Sequence, residues 1–307
     1  MFENSTLLKK CLNLKKGVLC FLKVKKVEVN LLNETLKIVD FEDVEKQRQM
    51  NIMQKNNFVQ KARSELTLYQ LKLLDFIMSK IQKEDTEFSM IHTNFLELMT
   101  VLDLPRGGTT YKTLANDLLA LKSKGFYVLT DGGKSITATS WLGYIRIHEN
   151  GSIELRLDEF LAPFLLQLAF EEGNFTVYPL SDVIKLKSKY SLMMYKLVQS
   201  NRFKSPEGRK PIISMTAEEA AEYFGQQDWP FYRIKEKILI VAQKELDAKG
   251  LYKLKYTFKK QGRKLVGVDI YAVKLNVQNN SRPLKKAEKT SAKKSKITKV
   301  PLHNWLE

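Results

Sequence analysis

The chain has little cysteine and no long apolar run, and each of these absences excludes a class of protein. Only two cysteines, Cys11 and Cys20, occur in 307 residues, which excludes a disulfide framework and indicates a reducing, cytoplasmic setting. No apolar run approaches the ~20 residues of a membrane span, and no signal peptide is recognisable. We therefore expect a soluble protein without a membrane partner.

Candidate catalytic groups are also scarce. The three histidines, His92, His148 and His303, are scattered along the chain, which argues against the clustered ligands of a metal-dependent nicking site. Gly132-Gly-Lys-Ser135 resembles the end of a phosphate loop, but Val128 stands where that loop requires a glycine, so a polar turn is the better interpretation. No base or acidic cluster accompanies a serine or tyrosine nucleophile. We expect no catalytic residue, no metal and no cofactor.

Positive charge is abundant and unevenly distributed. The net charge is +17, which predicts a polyanionic partner, nucleic acid before an acidic membrane. Residues 51–158 hold 13 basic against 12 acidic residues, whereas residues 159–275 hold 20 against 13 and residues 276–307 hold 8 against 2. The polyanion is therefore expected to meet the second half of the chain.

The pattern predicts one order of elements twice, about 120 residues apart. Thr67 opens a first helix through a capping box, Thr93 is expected to cap a second, and a third runs from Tyr111 to a stop at Gly125. Strands over residues 126–130 and 140–148 follow, and Asn150-Gly151 turns the chain into Ile153–Leu157.

The second copy follows the same order. A capping box at Thr216 opens a helix that ends at Gly225, a long helix runs from about Phe231 to Gly250, and a hairpin spans residues 252–273. Helix, strand, helix, turn, helix, hairpin is the order of a winged helix, the helix-turn-helix variant whose hairpin is the wing. The predicted fold class is α+β: two tandem winged-helix domains related by internal duplication.

These elements divide the chain into five parts. We predict a first winged-helix domain over residues 55–158, for dimerisation and accessory DNA contact, a connecting helix over 159–176 and a second domain, the main DNA reader, over 177–275. Residues 1–54 form an N-terminal extension without an assigned role. Residues 276–307 form a basic tail that we expect to be disordered, and it ends in Pro301–Glu307, either a docking peptide or chance composition.

The stretch Tyr178–Ser200 predicts a helix with two faces. Val183, Leu186, Tyr190, Met194 and Leu197 recur at helical spacing, Ser181 and Asp182 suit its N-terminus, and Lys185, Lys189 and Lys196 form a basic stripe opposite. This face suits an anion.

DNA contact is best supported in the second copy. In its long helix Ile234, Ile238, Val241 and Leu246 are expected to face inward, and Arg233, Lys237 and Ile240 outward beside Glu236. Arginine suits guanine O6 and N7, and an exposed isoleucine suits a thymine methyl; a solvated face is the alternative. Further basic residues lie at the second wing tip and in the loop around Pro206: Lys259, Lys260, Arg263, Lys264, Lys204, Arg209 and Lys210.

The first copy offers weaker candidates. The start of its third helix could contact phosphates and bases, whereas its wing tip carries Glu149 and Asn150. A nearly neutral domain suits contact with protein equally well. These candidates are Arg106, Thr109, Thr110, Tyr111 and Lys112.

Four segments resemble the plasmid replication initiator proteins of the RepB/RepE/pi type. Leu186-Lys-Ser-Lys-Tyr-Ser191 with Met194-Tyr-Lys-Leu197 is the most characteristic. The others are Asn56–Arg63, Ile153–Leu157 and Gly262–Val268. The resemblance covers roughly residues 55–275 in order and leaves the N-terminal 50 residues and the tail unexplained.

The resemblance implies binding to tandem origin repeats (iterons) of double-stranded DNA and the start of theta-type replication. It implies monomers that activate the origin, and dimers, held through the first domain, that repress the initiator's own promoter. Further implied partners are the host replication initiator and the replicative helicase or its loader. It places Lys187, Ser188, Lys189 and Tyr190 on the DNA side and Tyr232–Lys237, which includes Lys235, in a major groove.

We therefore expect a non-enzymatic, sequence-specific initiator. The first alternative is a winged-helix transcriptional regulator without initiator activity, and the second is a nicking or strand-transfer enzyme.

Overall fold

The computed structural model describes residues 41–130, 135–168 and 175–275. Cys11, Cys20, most of the predicted N-terminal extension, the whole basic tail and Pro301–Glu307 lie outside these residues. So do residues 131–134, which hold most of the glycine-rich turn considered above.

The first winged-helix domain opens on a helix whose start is fixed by local hydrogen bonds. The Gln70 amide N–H donates to Thr67 Oγ1 at 3.3 Å, and the Thr67 N–H donates to Gln70 Oε1 at 3.1 Å. This is the predicted capping box, and it is confirmed. The elements up to this helix are α1 (Phe41–Gln49), β1 (Asn51–Lys55), α2 (Asn56–Lys61) and α3 (Leu68–Met78).

The next helices of this domain begin at other residues than predicted. Asn94, rather than Thr93, is the cap of the second helix, because its side-chain oxygen accepts the Glu97 N–H at 2.9 Å. Thr93 lies in the preceding strand and donates its hydroxyl to Glu97 Oε2. The third helix begins at Gly108, three residues before Tyr111. These elements are β2 (Ile91–Asn94), α4 (Phe95–Val101) and α5 (Gly108–Ser123).

An extra hairpin comes after α5. The helix stops just before Gly125, as predicted, but Gly125 has no positive φ and is the first residue of β3. A Cβ at Gly125 would lie 2.7 Å from the Thr139 carbonyl oxygen, so the close approach of two strands explains this glycine. The sequence pattern predicted strands at residues 126–130 and 140–148 but none over residues 135–139, and it thereby missed this hairpin. The strands are β3 (Gly125–Thr130), β4 (Ser135–Ser140), β5 (Leu142–Ile147) and β6 (Ser152–Leu157).

The predicted wing of the first domain is present. β5 and β6 are antiparallel, joined at Gly151 with φ +83°, and β6 pairs with β2 to give the sheet order β2–β6–β5. A positive φ is accessible to glycine at little cost, so the Asn-Gly signal was correct.

The described residues of the connection between the domains, 159–168 and 175–176, contain little helix. A 3₁₀ turn (Glu159–Leu161) leads into the single turn α6 (Ala162–Leu165), so the predicted helix over 159–176 is wrong at this length. β7 (Phe175–Pro179) then pairs antiparallel with β1, from Asn51 opposite Pro179 to Lys55 opposite Phe175. This ribbon joins the segment before the first domain to the start of the second.

The stretch Tyr178–Ser200 forms two helices instead of one. α7 (Leu180–Lys185) ends where Leu186 turns extended, and α8 (Lys189–Asn201) begins at a new cap, where Ser188 Oγ accepts the Ser191 N–H at 3.4 Å. Pro179, rather than Ser181, stands at the N-cap of α7. A capping serine within an apolar periodicity restarts the helix.

The second domain has its predicted order of elements. Thr216 forms the predicted capping box with Glu219, and Gly225 and Gly250 take positive φ values after their helices. β8 pairs with β10 and β10 with β9, so the sheet order β8–β10–β9 repeats that of the first domain. The elements are β8 (Ile213–Thr216), α9 (Ala217–Tyr223), α10 (Phe231–Ile234), a π turn (Lys235–Leu239), α11 (Ile240–Ala248), β9 (Tyr252–Gln261) and β10 (Lys264–Lys274).

Both domains share one continuous apolar core. α8 packs against α11 on one side and against α2 and α3 on the other. Among the described residues, no helix is both long and apolar enough to cross a bilayer.

Candidate nucleic-acid interface

The long helix of the second domain, α10 through α11, is interrupted by the π turn Lys235–Leu239. A π turn takes one more residue than an α turn and therefore rotates the faces of the helix beyond it. Leu239 is accordingly buried beside Ile238, and Val241, predicted inward, is 37% exposed. Ile240, predicted outward, is half-buried. The exposed large aliphatic side chain of this helix is Val241.

Arg233 is held in place by an aromatic stack. Its guanidinium lies 4.2 Å from the centroid of the Trp229 ring. The Tyr190 ring centroid lies 6.5 Å from that of Trp229 and 6.2 Å from that of Phe224. Stacking on an aromatic face orients the planar guanidinium while its N–H groups stay available. The exposed Arg233 is thus presented at the N-terminal turn of the helix.

The neighbours of Arg233 divide into exposed and engaged side chains. Tyr232 is 65% exposed, and Lys237 and Glu236 are also exposed. Lys235 is half-buried, 5.4 Å from the Phe258 ring centroid and 3.2 Å from Glu236 Oε1. Of the predicted groove segment, Tyr232, Arg233, Glu236 and Lys237 face solvent.

The second wing ends in a cationic tip. Gly262, with φ +60°, makes the turn between β9 and β10. Lys260, Arg263 and Lys264 are exposed around it. Lys259 is instead directed to the sheet, where its Nζ lies 2.8 Å from Asp269 Oδ1 and 2.6 Å from Ser214 Oγ. The predicted four-charge tip therefore consists of three exposed cations and a fourth, Lys259, that is half-exposed and paired with Asp269.

Asp269 modifies the charge of this wing. Hydrogen bonds from Lys259 and Ser214 lower the pKa of the Asp269 carboxyl, so it is ionised at neutral pH and offsets Lys259. A contact to phosphate from Lys259 would require this pair to open.

The predicted basic loop lies beside the sheet of the second domain. Arg209 Nε is 2.9 Å from Glu207 Oε2, and both side chains are largely exposed, so the pair contributes little to stability. Lys204 and Lys210 are exposed. Lys204 borders a groove of about 280 Å³ that Arg63 and Glu222 also line.

The α7–α8 segment is less open than the resemblance implies. Lys187 is exposed and its backbone N–H donates to Glu245, while Ser188 is the cap of α8. Lys185 pairs with Asp182 at 3.1 Å. Burial lowers the pKa of Lys189, whose charged neighbours Glu65 and Lys124 belong to the first domain.

The predicted basic stripe of three lysines is not present as one surface. Lys196 lies opposite the first domain, where its Nζ is 2.7 Å from Asp75 Oδ1 and its side chain is only 12% exposed. Lys185 remains at the surface. Two helices, separated where Leu186 is extended, replace the single helix that the periodicity predicted.

The first domain presents two exposed cations near the start of α5. Arg106 and Lys112 are exposed, and the Arg106 guanidinium reaches Thr100 Oγ1 at 3.4 Å. Tyr111 stacks on Phe95 with 3.9 Å between ring centroids. Thr109 is exposed and Thr110 half-buried.

The first wing is held by polar contacts, and its turn residues 148–151 include no lysine or arginine. Asn150 Oδ1 accepts the Ser152 N–H at 3.0 Å, and His148 Nε2 lies 3.2 Å from Glu154 Oε1. Across residues 41–130, 135–168 and 175–275, no group of three or more His, Cys, Asp or Glu side chains could hold a metal ion.

Sequence reasoning missed Trp229 and Asp269. Trp229-Pro230 predicts only a loop by its composition, although an aromatic residue four positions before an arginine at a helix start is a signal for stacking. Asp269 gave no signal, because its partner Lys259 lies across the hairpin in a register shifted by a bulge between Leu265 and Gly267.

Comparisons with known proteins agree with this architecture. The family model described as "Initiator Replication protein, WH1" matches residues 51–199, and the model described as "Initiator Rep protein, WH2" matches residues 222–272. The first match ends within α8, whereas we predict the domain boundary near residue 176. No curated protein matches the chain.

Solved structures with this fold share little sequence with the chain. The structure of Pi initiator protein in complex with iteron DNA is 16% identical, with a TM-score of 0.58, and the match covers 74% of this chain and 98% of that one. Domains 2 and 3 of RctB are 12% identical with a TM-score of 0.44, covering 71% and 86% respectively. The first of these comparisons supports the two-domain fold.

Proposed function

The chain belongs to the family of initiator replication proteins, and we propose that it starts theta-type plasmid replication by binding direct repeats of an origin through its second domain. The observation that carries this proposal is the stacking of the Arg233 guanidinium on the Trp229 ring. The exposed Tyr232 and Lys237 lie beside it. The Pi initiator protein was solved with iteron DNA, which makes repeated DNA the first ligand to test.

In the proposed mechanism, phosphate and base contacts have separate roles. Lys260, Arg263 and Lys264 contact phosphates and set the orientation of the domain, and Arg233 contacts base edges in the major groove. Binding of several copies to adjacent repeats bends and strains a neighbouring AT-rich duplex. The first domain supplies accessory contacts through Arg106 and Lys112.

The first domain is also the proposed surface for self-association. Residues 51–158 are nearly neutral, and Tyr69 and Leu119 are 46% and 48% exposed. Dimers formed there would repress the initiator's own promoter. Sedimentation of the chain with Leu119→Lys should show less dimer than the wild type, and unchanged dimer would contradict this assignment.

The remaining proposed partners are the host replication initiator and the replicative helicase or its loader. The resemblance to plasmid replication initiators implies these partners. Co-elution of purified host proteins with the origin-bound chain would test them.

The deciding experiment is a footprint on plasmid DNA. Protection of several direct repeats, each roughly 20 base pairs or two helical turns, supports the initiator. Protection of a single inverted repeat would instead support a transcriptional regulator.

Nicking activity is tested separately. We propose that the chain is not an enzyme, so supercoiled origin DNA incubated with the chain and Mg²⁺ should remain supercoiled. Relaxed DNA or a covalent protein–DNA product would contradict this proposal.

A further inference from the structure

A buried ion pair joins the first helices of the two domains. Asp75 of α3 has no exposed surface, and its Oδ1 lies 2.7 Å from Nζ of Lys196 in α8, 121 residues later. The Tyr178 hydroxyl donates to the same carboxylate oxygen at 3.1 Å, and Gln54 donates to the Tyr178 hydroxyl at 2.8 Å. The β1–β7 ribbon thus contributes Tyr178, which contacts the pair, and Gln54, which supports Tyr178.

A second lysine also joins the two domains, but here the lysine belongs to the first domain and its acceptor to the second. Lys72, one turn before Asp75 on α3, is buried, and its Nζ donates to the Ile184 carbonyl oxygen at 2.9 Å. Ile184 lies in the last turn of α7, where carbonyl groups favour a cation. α3 therefore holds α8 through an acidic residue and α7 through a basic one.

Stability does not explain this arrangement. Apolar side chains of similar volume often stabilise a core as well as a buried ion pair does, since both ions must lose their hydration. A buried pair does favour one relative arrangement, because any shift leaves an unpaired charge in the core. α8 also packs against α11, so its position sets the position of the long helix.

We propose that Asp75, Lys196 and Lys72 are positioning residues that hold the two winged-helix domains in one relative orientation and thereby set the spacing of the DNA segments each contacts. The inference about DNA spacing rests on the proposed function, whereas the fixed orientation does not. The chain then binds DNA sites in which the two contacted segments have one fixed spacing.

The orientation is tested without DNA. Spin labels are placed at Asn116→Cys on α5 and Lys244→Cys on α11, both exposed, with Cys11 and Cys20 replaced by serine. We expect a single narrow distance distribution in the wild type. We expect a broad one in the neutral pair Asp75→Asn with Lys196→Met, in which the asparagine oxygen still accepts from Tyr178.

Lys80→Met is the matched control. Lys80 lies just after α3 and also pairs with a carboxylate, Glu97, at 3.0 Å, but both residues belong to the first domain. The spin-label distance distribution of Lys80→Met should stay narrow. Melting curves establish that each variant is folded, and Lys72→Met provides an independent second variant with the same expected broadening. A distribution as narrow in the neutral pair as in the wild type would overturn the proposal.

The consequence for DNA is tested with the repeat that the wild type protects and with versions carrying two inserted base pairs between its halves, a rotation of roughly 70°. The wild type should lose at least about tenfold in affinity on insertion, and the neutral pair less than about threefold. Equal losses would overturn the spacing role. Absence of any wild-type binding would contradict the proposed function itself, while the spin-label distances would still report on the orientation.

Discussion

The second wing ends in Lys260, Arg263 and Lys264, whereas the turn of the first wing holds His148, Glu149 and Asn150. Both hairpins occupy the same place in a sheet of the same order. Their charges nevertheless differ, and phosphate contact depends on charge. The fold is therefore repeated, but its surface chemistry is not.

The long helices differ in the same way. Each begins near a tyrosine followed by a basic residue, Tyr111-Lys112 in α5 and Tyr232-Arg233 in α10. Tyr111 stacks inward on Phe95, whereas Tyr232 is 65% exposed beside an arginine supported by Trp229. The comparison shows that equivalent positions support the core in one domain and present polar groups in the other.

The largest expected effect is on the contact between the two domains. Lys196→Met leaves Asp75 buried and unpaired, which should lower the free energy of unfolding by about 3–5 kcal/mol at neutral pH. Chemical denaturation of the variant and the wild type measures this difference in the free energy of unfolding. If both domains were independent units, the loss would be below about 1 kcal/mol.

The same variant has a defined pH dependence. Burial already raises the pKa of Asp75 in the wild type, and removing the lysine raises it further. A raised pKa favours the folded state at low pH, so the variant's deficit should shrink as pH falls and Asp75 takes up a proton. Asp75→Asn with Lys196→Met, which has no carboxyl here, should show no such trend.

Arg233→Ala tests the difference between the long helices. Loss of a base contact should reduce the preference for repeat over random DNA by about 1–3 kcal/mol, or roughly 5- to 150-fold. Competition binding measures this preference. Arg106→Ala in the first domain should reduce it less, and Arg146→Ala, on the exposed side of β5, serves as the control. A larger loss of sequence preference in Arg106→Ala than in Arg233→Ala would show that the first domain, and not the second, recognises the bases.

Lys260→Ala tests the wing. Binding should weaken alike on every sequence, and the slope of log affinity against log salt should fall by about one. Lys253→Ala is the matched control, because this exposed lysine lies at the other end of the same strand, roughly 23 Å away. An identical effect of both substitutions would indicate general electrostatics instead of a wing contact.

The smallest expected effect is an increase in the salt dependence of DNA binding. Asp269→Asn removes the carboxylate that pairs with Lys259, so a fourth cation becomes available and the salt slope should rise by up to about one. Titration of DNA at several salt concentrations detects this. Unchanged slope and affinity would show that Lys259 does not reach DNA.

Local signals predicted the fold well. The capping boxes at Thr67 and Thr216 and the glycines at 151, 225 and 250 depend on neighbours within a few residues, which the sequence displays directly. Asn94 was missed by one residue because two adjacent capping residue types compete at that helix start.

Features set by distant contacts were not predictable in this way. The periodicity placed Lys196 on a solvent face, but its partner Asp75 lies 121 residues earlier. The π turn in the long helix moved Val241 outward, and it leaves no pattern of residue types that distinguishes it from an α turn.

Cleavage from the two wings tests most directly that the second domain reads the DNA. Iron–EDTA is tethered at Gln261→Cys in the second wing or at Glu149→Cys in the first, both exposed, with Cys11 and Cys20 replaced by serine. We predict strong cleavage at fixed positions of each repeat from the second wing and weak cleavage from the first. Strong, positioned cleavage from Glu149→Cys with none from Gln261→Cys would contradict the account.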